Sequence, residues 1–145
     1  MTRPVPLLFV AALVVACSAK PDNAALPRLG ESFRLRAGQS TLIAGEALTI
    51  GFEAVGADSR CAKGEACLWA GDAVIRIRLQ PAEAPGARLE LHTASRQQRD
   101  AYFQGYRIQV LKLEPAPVSG QAISPTDYVA TFVIVRGGAA GTETR

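Results

Sequence analysis

Ala73, Ile75, Ile77 and Leu79 alternate without a break with Val74, Arg76, Arg78 and Gln80. Successive side chains of a strand point to opposite faces, so this stretch predicts a half-buried β-strand. Shorter versions of the pattern recur along the chain. Phe33 and Leu35 alternate with Arg34 and Arg36, and 40–44 and 47–55 flank a Gly45-Glu46 turn. Leu48, Ile50 and Phe52 share one face of the second of these, and Leu89 and Leu91 face inward in 88–93. Tyr106, Ile108 and Val110 line one face of a strand over 106–113, where the apolar pair Val110-Leu111 breaks the alternation and predicts a bulge. Residues 127–136 are apolar on both sides, as a central strand requires, and Glu114-Pro115-Ala116-Pro117 stops the strand before them. Residues 94–101 read as a polar loop.

No segment carries a convincing helical period. About seven short strands between residues 30 and 136, with turn signals between them, predict an all-β domain. The architecture is a single antiparallel β-sandwich, immunoglobulin-like or Greek-key, or a partly open barrel. The chain of 145 residues has room for one such domain. It is 48% apolar and 20% charged, a globular composition.

The first residues read as an address. Arg3 precedes an apolar run over Val5–Val15, too short for the roughly 20 residues that span a bilayer as a helix. A positive charge, a short apolar core and a small residue before the cut describe a secretory signal over 1–16. Val14-Val15-Ala16-Cys17 resembles the lipobox of bacterial lipoproteins. That resemblance implies cleavage before Cys17, diacylation of its sulfur and acylation of the new amine. It places the protein in the cell envelope, anchored by lipid and facing the periplasm, and Ser18 after the cysteine favours the outer membrane. The alternative is an ordinary signal peptide in which Cys17 is incidental. Residues 17–29, rich in Pro, small and polar residues, then read as a tether, 30–136 as the domain, and 137–145 as a frayed tail. Without 1–16 the chain keeps 15 of its 16 basic residues and all 13 acidic ones, a net +2. That balance, with no Lys or Arg run, excludes a nucleic-acid partner.

With Cys17 assigned to lipid, Cys61 and Cys67 remain as an even pair in an oxidising compartment, and a disulfide is the favoured reading. A redox pair would call for Cys-x-x-Cys at a helix start. A metal pair is the remaining alternative, but structural zinc takes four ligands and the chain adds only His92. No cofactor or metal is expected. The only tryptophan, Trp69, reads as a ring folded against the bridge, with a ligand-stacking platform as the alternative. Asp58 and Arg60 are expected to brace the loop as an ion pair or as caps on its backbone, and Gly71 to supply the turn into the next strand.

No catalytic constellation emerges. His92 is expected at the surface beside Glu90; catalysis would need a nucleophile and an orienting acid, and Ser95 and Asp100 lie nearby without an activating motif. Arg76, Arg78, Arg88, Arg96, Arg99 and Arg107 could make a basic face for an anionic lipid or glycan, although alternation alone puts Arg on the wet side of strands.

Asp58-Ser59-Arg60-Cys61, a five-residue spacer and Cys67-Leu68-Trp69-Ala70-Gly71 resemble a signature of small bacterial envelope lipoproteins and secreted proteins of unassigned function. Gly105-Tyr106 through Glu114-Pro115 matches the Gly-Tyr strand ending in Pro of the same proteins, while Ala62 stands where Pro is common. The family carries no established catalytic or ligand residues, so the resemblance transfers none. In the absence of a catalytic constellation, the role expected is non-enzymatic, binding or supporting another envelope component, with a protein or glycan as partner. The alternative is a periplasmic enzyme inhibitor that inserts the loop over Ala62–Ala66 into a cleft.

Overall fold

A computed structural model describes residues 25–94 and 98–137 of the chain. The signal over 1–16, Cys17, most of the tether and nearly all of the tail lie outside the described residues. Eight strands form: β1 (Ser32–Arg36), β2 (Ser40–Leu42), β3 (Leu48–Asp58), β4 (Ala73–Pro81), β5 (Ala87–His92), β6 (Asp100–Phe103), β7 (Tyr106–Glu114) and β8 (Val129–Arg136). They make two four-stranded sheets in the orders β1-β8-β7-β6 and β2-β3-β4-β5, and every pairing is antiparallel. This is the expected β-sandwich. Around the ring of both sheets the strand order is the chain order, so the sandwich is an up-and-down meander rather than an immunoglobulin-like or Greek-key arrangement.

The alternation seen in the sequence is the cause of the layering. Leu48, Ile50 and Phe52 of β3 and Ala73, Ile75, Ile77 and Leu79 of β4 are buried, and Ile108, Val110, Ala130, Phe132 and Ile134 face them from the other sheet. Phe52 meets Phe132 edge-on across the sheets at 6.0 Å between ring centres, and Phe33 adds a tilted contact to Phe132 at 6.1 Å. β8 is the central strand its two-sided apolar pattern predicts, lying between β1 and β7. The bulge also falls where the pattern breaks. The register of β7 on β8 shifts between Val110 and Lys112, which turns Leu111 outward and brings Leu113 into the core.

β6 is a strand where 94–101 reads as loop. It is short, and only Ala101 of it is buried. What fixes it is the two-residue turn to β7, in which Gln104 and Gly105 both take positive φ, as tight hairpin turns require. Residues before Gly30 also join the domain. The Pro27 carbonyl accepts from the Ala44 amide, Gly30 donates to the Ile134 carbonyl, and Leu29 packs on the core.

Candidate functional site

The β3–β4 connection, 59–72, stands at one pole of the sandwich beside the β5–β6 and β7–β8 connections. Its base continues the hairpin beyond the sheet: Ser59 donates to the Asp72 carbonyl at 2.7 Å and Cys61 to the Ala70 carbonyl at 3.0 Å. Gly71 has a φ of +70°, and a Cβ there would lie 1.9 Å from the Ser59 carbonyl oxygen, so only glycine fits. Cys61 and Cys67 are joined in a disulfide that closes the loop.

Asp58 and Arg60 brace this loop in both of the ways considered. The guanidinium grips the carboxylate with Nε at 2.8 Å and Nη2 at 2.7 Å, and the Arg60 amide also donates to Asp58 Oδ1. The same guanidinium donates to the Leu113 and Pro115 carbonyls at 2.7 and 2.8 Å, pinning the loop to the end of β7. Tyr128 donates its hydroxyl to Asp58 Oδ2 at 3.1 Å. Burial pushes the Asp58 carboxyl up, and the Arg60 and Tyr128 hydrogen bonds with the Arg60 charge outweigh it, holding the group below its ordinary value. Tyr128 is correspondingly raised by burial and by the carboxylate beside it.

The rest of the loop is laid against the β7–β8 connection. Lys63 donates its amide to the Pro117 carbonyl at 2.9 Å, and the Ser119 hydroxyl donates to Glu65. Lys63–Ala70 is exposed throughout.

Trp69 departs from expectation. It is 80% exposed and its neighbour Leu68 91% exposed, in a bend of the chain. The reason is where the bridge lies. A tryptophan packs on a disulfide when the bridge links two sheets across a core, whereas Cys61–Cys67 closes a loop within one hairpin, outside both sheets. The space between the sheets is already filled by Phe52 and Phe132.

His92 is not a free surface side chain either. Its Nδ1 lies 2.6 Å from Asp72 Oδ2, while Asp72 Oδ1 accepts from the Thr93 and Ala94 amides, each at 2.9 Å. Burial raises the Asp72 carboxyl, and the His92 contact, the Ala94 amide and the Thr93 hydroxyl outweigh it, leaving the group below its usual range. Asp72 thus ties the foot of the loop to the end of β5. An orienting acid for the imidazole therefore exists, and it is Asp72 rather than Asp100. The adjacent hydroxyl, Thr93 Oγ1, is committed to the Ala73 amide and Asp72 Oδ1, and Ser95 lies outside the described residues. Among the described residues no three His, Cys, Asp or Glu side chains converge as metal ligands would.

The arginines do not form an open basic face. Arg76 pairs with Glu90 at 3.1 Å, Arg88 with Glu53 at 2.9 Å, and Arg107 with Asp100 at 3.6 Å. Arg78 lies 3.8 Å from Glu53 and Arg99 donates to the Thr93 carbonyl, while Arg96 is outside the described residues. At the opposite pole from the loop, Tyr106 and Arg136 both donate to Glu46 Oε2, and Arg136 sits over the Tyr106 ring.

No family model matches the chain, and no curated protein or solved structure matches it. The loop geometry therefore carries the functional reading by itself.

Proposed function

We propose that this is a cell-envelope protein, anchored at a membrane through acylated Cys17, that works by binding a partner rather than by catalysis. The observation that carries the reading is a loop exposed from Lys63 to Ala70 yet fastened by a disulfide, the Arg60 clamp and the Asp72 hub. Exposed loops ordinarily lose conformational entropy when they bind, and fastening them beforehand lowers that cost. The site lies at the pole opposite the one where the described chain begins, which supports a reading in which the loop faces away from the anchor.

Insertion of the loop into an enzyme cleft is the second form of this reading, and the exposure of the loop favours it equally. Residues 62–66 are tied to Pro117 and Ser119 on one side, so the part able to insert is displaced toward 66–70.

The test is co-purification from envelope extract. The intact chain is expected to retain a partner that the Cys61→Ser/Cys67→Ser protein loses, and to require Cys17 for sedimentation with membranes. Equal recovery of the same partner by both proteins overturns the loop as binding element. A Cys17→Ala protein that still sediments with membranes overturns the anchor.

A further inference from the structure

We infer that Leu68 and Trp69 form a two-pronged anchor that enters an apolar cleft on a partner protein. The inference rests on the binding role proposed above and moves its centre from 62–66 to the bend at 68–69. Both side chains are almost wholly exposed, although each would ordinarily be worth burying. Ala66-Cys67-Leu68-Trp69-Ala70 is a run of five exposed residues without a charge. An apolar patch with a polar rim marks a contact surface, and Trp is among the residues that dominate such contacts.

Three observations select a protein cleft as the occupant. The exposed charges that precede the tip in the loop, Lys63 and Glu65, are of opposite sign, so the tip has no net positive field to draw it to an anionic bilayer. The chain enters the domain at the other pole, where Pro27 binds Ala44 and Gly30 binds Ile134. β3 alone, with 11 residues, separates the poles by roughly 30 Å, so the tip lies at the end of the domain farthest from the side on which a lipid at Cys17 would be attached. Finally, an aromatic side chain buries about 150–250 Å². Even with the leucine, the pair falls well short of the about 800 Å² per partner of a standard interface, so two tips pressed together make a poor dimer. A concave surface that also covers Ala66, Cys67 and Ala70 uses the same prongs far better.

Trp69 is the sole tryptophan of the chain, so its emission reports the contact directly. The lipidated full-length protein carrying a photoreactive side chain at Ala66 is irradiated in intact envelopes, and the cross-linked protein is identified by mass and purified. The mature chain with Cys17→Ser is then titrated with that protein, Trp69 fluorescence being followed in the parent and in Leu68→Ala and the heat of binding in all three proteins, Trp69→Ala included. A saturable blue shift is expected, with affinity reduced at least about 30-fold by Trp69→Ala and about 10-fold by Leu68→Ala. Both variants are expected to keep the thermal midpoint of the parent. No adduct, an adduct with a second copy of this chain, or undiminished affinity in Trp69→Ala overturns the inference. So does an equal blue shift on vesicles of phosphatidylcholine or phosphatidylglycerol alone. Binding that depends on the disulfide but not on Trp69 would remove these prongs and leave the proposed binding role standing.

Discussion

Replacing Arg60 by methionine is the sharpest test of how the loop is held. The substitution keeps most of the aliphatic stem and removes the guanidinium from four hydrogen bonds, two to Asp58 and one each to the Leu113 and Pro115 carbonyls. The side chains of Arg60 and Asp58 are only 14% and 11% exposed, so this pair behaves as a largely buried one. Removing one partner of such a pair costs about 3–5 kcal/mol, because the other charge stays desolvated. The freed carbonyls add less, since Pro115 lies where water can replace the donor. The expected loss is about 4 kcal/mol, a large part of the 5–15 kcal/mol by which domains are typically stable. Urea unfolding followed by far-ultraviolet circular dichroism measures it; Trp69, already exposed, is a poor probe of unfolding. The pH dependence is a second readout. In the parent the Asp58 carboxyl is held low, so its contribution is present above an unfolded value of about 4 and is lost as pH falls through the depressed folded value. Without Arg60, burial dominates and protonation becomes favourable in the folded state, so the deficit of the variant shrinks between about pH 7 and pH 4. Asp58→Asn combined with Arg60→Met is expected to recover part of the loss. A deficit below about 1 kcal/mol, or one equal at both ends of that range, refutes the argument.

Gly71→Ala places a methyl group against the Ser59 carbonyl and is expected to cost about 3 kcal/mol or displace the loop, read by denaturation and by amide exchange at Ser59 and Cys61. Opening the Cys61–Cys67 bridge as a double serine variant is expected to lower stability by about 2 kcal/mol in the chain-entropy model, seen as a lower urea midpoint with the sandwich retained. Below about pH 4 the whole domain is expected to weaken, because Glu46, Asp58, Asp72 and Glu114 are all held below their ordinary values when folded. Each contributes above its unfolded value and stops doing so as acid protonates the folded carboxylate; a thermal midpoint flat from neutral pH into that range contradicts it.

The strands were legible because burial on one face writes itself into the sequence at every second position, as in Ala73–Leu79. Even the irregularity of β7 was visible, since a bulge must show as two adjacent residues that fail to alternate. β6 left little trace because four residues with one buried side chain carry too short a pattern; the Gln104-Gly105 pair was the available signal. The Cys61–Cys67 bridge followed from cysteine number together with the export signal read in residues 1–16. Trp69 did not follow, because an exposed and a buried tryptophan look alike when the position of the bridge relative to the sheets is unknown. Long-range polar contacts were equally hidden: Arg60 reaches carbonyls more than 50 residues away, and Asp72 meets His92 only once β4 and β5 are paired.

Because the ring of strands closes β1 against β8, the two ends of the described chain leave side by side from the same pole. A tag or reporter joined close to either of these ends would therefore begin at the pole remote from the loop. The chain ends and the loop thus share the molecule as a grip and a free end do, an arrangement suited to display of the loop.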